Sequence, residues 1–183
     1  MIIRKLRMVN FRKFKDSTIE FYDQPLVLLS AANGIGKTTI IDAIEWCLTG
    51  DIGRLKTAFE TRSTNEDERK LNTKGILKNK DSDEKSKVTV FLWLIDGTNE
   101  ILICREQKND VLDPECSTVT LNGNEKASKQ FINEYIGKSF YNFHFCDIQK
   151  SFNIQSTKRC DLVSFFSDFI TNYDEQKTNC SKY

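Results

Sequence analysis

The sequence has few of the residues that mark loops, catalytic sites and extracellular folds. It contains two prolines and one histidine, and no two of its eight glycines are adjacent. The six cysteines are scattered and never form a C-x-x-C pair. This spacing favours neither a secreted disulfide framework nor a cysteine metal cluster.

Long apolar runs and a strong net charge are also missing. No stretch approaches the roughly 20 apolar residues that a membrane span requires. The opening MIIRKLRMVN interleaves basic and apolar residues, so we expect no signal peptide. The net charge of +1 argues against a simple electrostatic nucleic-acid binder. We therefore expect a cytoplasmic protein with no membrane partner, and with no metal except one that a nucleotide brings.

The composition suits a folded domain. The 183 residues are 39% apolar and include 13 phenylalanines, enough for one hydrophobic core. Residues 51–87 are polar, with ten basic and eight acidic side chains, and we interpret them as an insert, either a solvated loop or a DNA-facing segment. We predict one domain over 1–183, in which residues 172–183 are either native structure or a disordered tail.

Periodicity predicts two strands, a third buried strand and then a helix. Residues 1–9 and Thr18–Phe21 are typical of strands, and the apolar run Leu26–Leu29 is typical of a buried central strand. A helix is expected from Lys37 to about Thr49, with Gly50 as its C-terminal cap. Its predicted buried stripe consists of Ile40, Ile41, Ile44, Cys47 and Leu48.

An antiparallel sheet is predicted next. Strands at Val88–Ile95 and Ile101–Arg105 flank the hairpin pattern Asp96-Gly97-Thr98-Asn99. A further strand, Ser117–Leu121, leads into the turn Asn122-Gly123.

Two later helices complete the prediction, at Lys126–Ile136, closed by Gly137, and at Lys158–Ile170. The predicted fold is α/β, with a mixed β-sheet that has an antiparallel part around the helix at Lys37.

The segment LLSAANGIGKTT, residues 28–39, carries the chemistry. Gly34 and Gly36 allow a tight turn that brings backbone N–H groups to phosphate oxygens. Lys37 can reach the β- and γ-phosphates, and the Thr38 hydroxyl can ligate Mg²⁺. We predict a P-loop for ATP and Mg²⁺, although Ala31 replaces the first glycine of the usual pattern. The predicted nucleotide-binding residues of this loop are Asn33, Gly34, Ile35, Gly36, Lys37, Thr38 and Thr39.

Four linked segments resemble the N-terminal ATPase lobe of SMC, RecF and SbcC-type proteins, an ABC-type head. They are MIIRKL at the start, NFRKF at residues 10–14, NGIGKT at 33–38 and IDAIEW at 41–46. The resemblance implies that Arg12 contacts a phosphate or the adenine. It also implies a Q-loop glutamine that holds Mg²⁺ and the attacking water. Gln149 matches this glutamine and Gln155 is the alternative, so Lys37 and Gln149 are the predicted catalytic residues, and Thr38 and Gln149 the predicted metal ligands.

Two motifs of the resembled family have no counterpart here. A Ser-Gly-Gly signature needs adjacent glycines, and the strand Phe91–Asp96, which resembles a Walker B segment, is followed by Gly97 in place of Glu. We interpret Asp96-Gly97 as a hairpin turn. In that family both motifs lie in a C-terminal lobe after a long coiled coil. We therefore expect the first lobe alone, as a fragment or a separate gene product, with poor ATP turnover by itself.

The resemblance implies an ATPase that acts in DNA repair, chromosome maintenance or defence against phage and plasmids. Its implied partners are the C-terminal lobe, a second head in a homodimer or larger complex, a nuclease, and DNA bound by the assembled complex. Two alternatives stay open: a small P-loop kinase, and a regulatory module that keeps the fold in order to bind a partner.

Several other residues are interpreted as structural. His144 has no evident triad around it, and Trp46 and Trp93 are expected in the core. Cys47, on the predicted buried stripe, should be chemically inert. A basic cluster belongs either to a DNA-facing sheet or to a solvated strand face, and consists of Arg4, Lys5, Arg7, Arg12, Lys13 and Lys15.

Overall fold

The computed structural model describes residues 2–22, 24, 26–55, 76–83 and 85–136. The chain divides into two units, residues 1–135 and 136–183, and all but one of the described residues belong to the first unit. Within these ranges no helix is both long and apolar enough to cross a bilayer. The predictions that lie outside the described residues concern Gly137, His144, Gln149, Gln155, Lys158–Ile170 and the tail 172–183.

One antiparallel sheet and one long helix organise the described residues. The sheet has six strands in the order β2-β1-β3-β4-β5-β6, and every neighbouring pair is antiparallel. In chain order the elements are β1 (Ile2–Phe11), β2 (Phe14–Glu20), α1 (Lys37–Thr49), β3 (Val88–Asp96), β4 (Asn99–Gln107), a 3₁₀ turn (Pro114–Cys116), β5 (Ser117–Leu121), β6 (Asn124–Ala127), α2 (Ser128–Phe131) and a π-helical turn (Ile132–Ile136).

The predicted hairpin at Asp96–Asn99 and the predicted turn at Asn122-Gly123 are both confirmed. Asp96 pairs with Asn99 across a turn in which Gly97 has a φ of 61°. This makes Asp96 the last residue of a strand that turns back into the same sheet. In the β5–β6 turn, Asn122 and Gly123 both have positive φ, at 49° and 82°, as a type I′ turn requires.

Strand β6 was not predicted, because its sequence NEKA has no alternation of apolar and polar residues. The helix expected from Lys126 therefore begins two residues later, at Ser128. Strand β2 was also longer than predicted: it begins at Phe14 rather than Thr18 and ends at Glu20.

The core lies between one face of the sheet and α1. Alternate residues of β3 point to it, and its fully buried members include Leu6, Met8, Val90, Leu92, Trp46 and Cys47. The Phe11 and Trp46 rings pack with centroids 5.7 Å apart. Burial raises the pKa of the Cys47 thiol to about 12, so the thiolate that would react is absent at neutral pH.

The expectation that Trp93 lies in the core was wrong. Successive residues of a strand point to opposite faces, and the buried face of β3 takes Leu92 and Leu94. Trp93 is half-buried on the opposite face, where its ring stacks on Phe91 at 5.9 Å. The Lys5 ammonium lies 5.2 Å from the centroid of the Trp93 ring.

Helix α1 has the predicted bounds, and Cys47 and Leu48 of its predicted stripe are buried, but the three isoleucines of that stripe are not. It runs from Lys37 to Thr49, and the Gly50 cap, with a φ of 75°, donates its N–H to the Trp46 carbonyl at 2.8 Å. Ile41, on the predicted buried stripe, is 44% exposed. The buried side carries Thr39, Asp42, Ala43, Glu45, Trp46, Cys47, Leu48 and Thr49. Trp46 and Ala43 fix this rotation, because they face the apolar side of the sheet.

The predicted central strand Leu26–Leu29 is not a strand in this structure. Leu26 and Leu28 are 85% and 87% exposed, and the segment pairs with none of the six strands. A central strand needs a hydrogen-bonded neighbour on each side, and the described sheet supplies none at this place. The antiparallel part of the predicted α/β fold is confirmed, and this strand is the part that the prediction got wrong.

The end of the polar insert is bonded to β1. Leu77 is fully buried, and its carbonyl accepts a hydrogen bond from the Arg12 N–H at 2.7 Å. The Asn79 N–H donates to the Asn10 carbonyl at 2.8 Å. These bonds bring the segment 76–83 beside the turn that joins β1 and β2.

Candidate nucleotide-binding site

The predicted P-loop ends where α1 begins. Gly34 and Gly36 both have positive φ, at 82° and 119°, and Gly36 occupies the N-cap position of the helix. The first intrahelical bond runs from the Ile40 N–H to the Gly36 carbonyl at 3.1 Å. The N–H groups of the first turn have no partner within a helix, and the helix dipole makes this end positive. The geometry suits a phosphate group.

Phe14 closes one side of this loop. A Cβ built on Gly36 would lie 2.9 Å from Cζ of the Phe14 ring, closer than real carbon atoms approach. The turn between β1 and β2 therefore packs directly on the helix N-terminus. Gly36 is required here for both its backbone conformation and its lack of a side chain.

Two lysines contact the backbone of the loop. The Lys37 ammonium donates to the carbonyls of Ala31 and Ala32, the latter at 3.1 Å. The Lys13 ammonium donates to the carbonyl of Gly34. Each ammonium has three donors and forms stronger hydrogen bonds with anionic oxygens than with neutral ones. Both lysines are thus placed where phosphate oxygens could replace carbonyl acceptors.

Arg12 reaches the same helix from the β1–β2 turn. Its backbone has a φ of 49°, in the left-handed region, and its NH1 donates to Oδ2 of Asp42. Arg54 donates to the same carboxylate, with Nε 2.7 Å from Oδ1. Burial lowers the pKa of Arg12, Asp42 opposes that shift, and the charge of Arg54 adds to it. The Asp42 carboxylate, 1% exposed, is therefore shared by two guanidinium groups.

A cleft of about 520 Å³ opens beside this group. Its charged lining is mostly basic, with four cationic side chains and one carboxylate, so it attracts anions. The lining residues are Arg12, Lys13, Thr39, Leu55, Ile76, Lys78, Asn79, Lys80 and Asp81.

The structure brings most of the predicted site residues together. Arg12 and Thr39 line one cleft, and Lys37 lies at the adjoining loop with Thr38 exposed on the first turn of α1. Asn33, Gly34 and Ile35 form the exposed tip of the loop. A tight loop, a helix N-terminus, ammonium groups and a hydroxyl are the donor set that a nucleotide with Mg²⁺ needs, so the residues fit this ligand. Within the described ranges there is no group of three His, Cys, Asp or Glu side chains that could hold a metal by itself.

Sequence reasoning missed Lys13, Asp42, Lys78 and Lys80 as members of the site. Lys78 and Lys80 could not be placed from sequence, because they reach the cleft only through the bonds between residues 76–79 and β1. Asp42 did leave a trace: it is an acid among apolar residues, three positions after Thr39 and thus on the same helix face.

The predicted basic cluster does not form one face. Lys5 pairs with Glu20 at 3.5 Å, and Arg7 pairs with Asp16 at 2.8 Å, on the face of the sheet opposite α1. Arg12 and Lys13 instead turn toward the loop. The alternation of strand β1 and the turn after it separate the two groups.

Comparison with known proteins decides the family. A family model described as an AAA domain matches residues 5–182. The chain belongs to this AAA-domain family. The predicted resemblance to the N-terminal lobe of SMC, RecF and SbcC-like ATPases is confirmed by the relatives that it matches.

One curated relative is the DNA double-strand break repair Rad50 ATPase of Thermoplasma acidophilum, 45% identical over 51 residues. The aligned stretch is 28% of this chain and only 6% of the relative's length. Two solved structures share the fold. The first, described under ATP-driven dimerization and DNA-stimulated activation of SMC ATPases, has a TM-score of 0.61 at 20% identity, covering 91% of this chain and 98% of that one. The second, recombination mediator protein RecF-ATPrS, has a TM-score of 0.50 at 18% identity, covering 74% of this chain and 30% of that one.

Proposed function

We propose that this AAA-domain chain is the ATP- and Mg²⁺-binding half of an SMC/RecF/SbcC-like ATPase. The observation that carries the proposal is the convergence of three cations on one helix N-terminus. Lys37 and Lys13 contact the loop backbone, and Arg12 lies beside Thr39 in the adjoining basic cleft. A polyphosphate is the common biological ligand with enough negative charge for this arrangement.

Each residue has a distinct part in the proposed site. The N–H groups from Asn33 to Thr39 bind phosphate oxygens, and Lys37 neutralises the β- and γ-phosphates. The Thr38 hydroxyl ligates Mg²⁺, which offsets phosphate charge when bound. Arg12 contacts a phosphate from the side of the cleft. Gln149 completes the proposal as the Q-loop residue that holds Mg²⁺ and the attacking water.

A second lobe is part of the proposal. Leu26 and Leu28 are 85% and 87% exposed, and Ile41 is 44% exposed on the solvent side of α1. Large apolar side chains exposed on one short segment are typical of a surface that a partner covers. A C-terminal lobe that adds strands beside residues 26–29 would cover them and supply the Walker B carboxylates. We infer that hydrolysis also needs a second head, and that the chain alone binds nucleotide but turns over poorly.

The wider role follows from the names of the relatives. Rad50 is named for DNA double-strand break repair and RecF as a recombination mediator, so we infer DNA repair, chromosome maintenance or defence against phage and plasmids. In this proposal DNA binds to the assembled complex, with a nuclease as a further partner. The small-kinase alternative is disfavoured by the family match and by the antiparallel sheet.

Thermal unfolding with and without Mg²⁺-ATP tests the proposal. Saturating ATP, at 100 times its dissociation constant, should stabilise the chain by about 2.7 kcal/mol. We expect this shift in the wild type and in the control Lys15→Ala, which removes an exposed lysine from β2. It should disappear in Lys37→Ala. An equal shift in Lys37→Ala would show that ATP binds elsewhere.

Absence of a shift in all three proteins would contradict nucleotide binding by this chain. In that case the regulatory alternative would gain support. The regulatory alternative predicts a mass in solution that rises with protein concentration and does not respond to ATP.

A further inference from the structure

Asp42 holds an unusual position in the basic cleft. Its carboxylate is 1% exposed and is absent from the cleft lining, yet it is bonded to a residue that does line it. NH1 of Arg12 donates to Oδ2, and Arg54 donates to both carboxylate oxygens. The three residues come from three parts of the chain: the β1–β2 turn, α1 and the helical residues 53–55.

Two positive charges lie close together in this group. The Asp42 carboxylate is buried, while the Arg12 and Arg54 side chains that donate to it are 24% and 36% exposed. Repulsion from Arg54 contributes to the lowered pKa of Arg12. An anion in the cleft would relieve this repulsion, because it would bring a second negative charge to the pair.

Arg12 keeps donors for such an anion. A guanidinium has five N–H donors in a fixed planar fork, and the bond to Asp42 uses the NH1 end. The side chain is 24% exposed and lines the cleft. Its backbone is also fixed, by the N–H bond to Leu77 at 2.7 Å and by the left-handed φ of 49°.

We propose that Asp42 is the positioning residue for Arg12, and that it orients the guanidinium toward a phosphate of the bound nucleotide. This inference rests on the proposed nucleotide site. Asp42 holds one end of the Arg12 guanidinium, so that the other end meets the ligand in a single orientation. The side chain is therefore already ordered before the ligand binds, and binding loses less conformational entropy. Through Arg54, the same carboxylate connects the occupied cleft to the residues that follow α1.

The direction in which Asp42→Asn changes the affinity for ATP distinguishes a positioning role from simple electrostatics. Asp42→Asn removes a negative charge near a polyanion, so electrostatics alone predicts tighter ATP binding. Positioning predicts weaker binding, because a neutral amide holds the guanidinium less firmly and Arg12 gains alternative orientations. We expect the Kd for Mg²⁺-ATP to rise about tenfold, the loss of roughly one charge-assisted hydrogen bond.

The experiment is a double-mutant cycle on the full chain, with the Kd of Mg²⁺-ATP measured by calorimetry. Arg12→Ala should weaken binding, and adding Asp42→Asn should weaken it no further, because Asp42 acts through Arg12. A purely structural role would reduce thermal stability equally in both backgrounds and would give additive effects on Kd. Asp16→Asn is the matched control, since it removes the carboxylate of the Arg7–Asp16 pair on the other face of the sheet and should leave the Kd unchanged.

The outcomes distinguish this inference from the function on which it rests. If the wild type fails to bind ATP, the proposed function fails. If the wild type binds and Asp42→Asn binds equally or more tightly, the positioning role is wrong and the function stands. Should Asp42→Asn not fold, Asp42→Glu replaces it: the carboxylate is kept but displaced by one methylene. Weaker binding by a folded Asp42→Glu supports positioning, and wild-type affinity overturns it.

Discussion

Arg105, on β4, donates its Nε–H to the backbone carbonyl of Cys47 at 2.9 Å, beneath the last turn of α1. The Arg105 side chain is fully buried, and its NH2 also donates to the Leu48 carbonyl at 3.4 Å. Its NH1 donates to the hydroxyls of Ser117 and Ser128 at 2.6 and 2.7 Å. A cation thus meets the negative end of the helix dipole inside the core and connects α1 to the far strands of the sheet.

Removing this guanidinium should be among the more damaging single changes. Arg105→Met keeps much of the volume but leaves two helix carbonyls and two hydroxyls without their donor. We expect a loss of about 3 kcal/mol in the free energy of unfolding, measured with urea. Arg105→Lys keeps the charge but lacks the planar guanidinium, so its free energy of unfolding should lie between those of the wild type and Arg105→Met. A loss in Arg105→Met below that of Arg105→Lys would contradict this role.

Gly50 should tolerate no side chain. A Cβ there would lie 2.8 Å from NH1 of Arg105 and 3.0 Å from the backbone of Pro114, at a φ of 75°. We expect Gly50→Ala to cost about 2 kcal/mol or more, from backbone strain and displacement of Arg105. Gly97 is the matched control: its φ is 61°, but nothing lies within 4 Å of the added carbon. Gly97→Ala should cost only about 1 kcal/mol in the same urea titration. Equal costs would show that the contacts around Gly50 yield easily.

The contact between Gly36 and Phe14 predicts coupled effects at the start of α1. Gly36→Ala should lower the melting temperature without nucleotide, because its Cβ would lie 2.9 Å from the ring. The added cost of Gly36→Ala should be smaller in a Phe14→Ala background, where the ring is gone. Gly34→Ala has nothing within 4 Å of its Cβ and should show no such dependence on Phe14. Additive costs for Gly36 and Phe14 would contradict direct contact.

The Arg7–Asp16 pair should add a small acid-dependent contribution to stability. The hydrogen bond from Arg7 lowers the pKa of Asp16 below its unfolded value of about 3.9. The pair therefore stabilises the fold fully above that pH, and the contribution disappears as the pH falls through the lower folded-state pKa. In urea titrations from about pH 6 to 2, the free energy of unfolding of the wild type should fall with pH. In Asp16→Asn the part of this fall that comes from the Arg7–Asp16 pair should be absent. The difference from wild type should shrink in about 1 M salt, because both side chains are exposed. A difference that grows toward low pH would refute this assignment.

Local patterns in the sequence determined the parts of the fold that depend on neighbouring residues. Lys37 and Gly50 mark both ends of α1, and Gly97 and Asn122-Gly123 mark two hairpins, because caps and tight turns depend on the conformation of one or two residues. The predicted P-loop segment rests on the same kind of local pattern. Its glycines and Lys37 are contiguous, so their spacing is visible without a fold.

Tertiary structure decided what depends on distant partners. Periodicity predicted Ile41 on the buried side of α1, but the apolar face of the sheet took Ala43 and Trp46 instead. The apolar content of Leu26–Leu29 predicted a central strand, yet a strand forms only where neighbours satisfy its backbone. Asp42 lies 30 positions from Arg12 and 12 from Arg54 along the chain. Only folding brings one carboxylate within hydrogen-bond distance of both, since long-range contacts leave no periodic trace in the sequence.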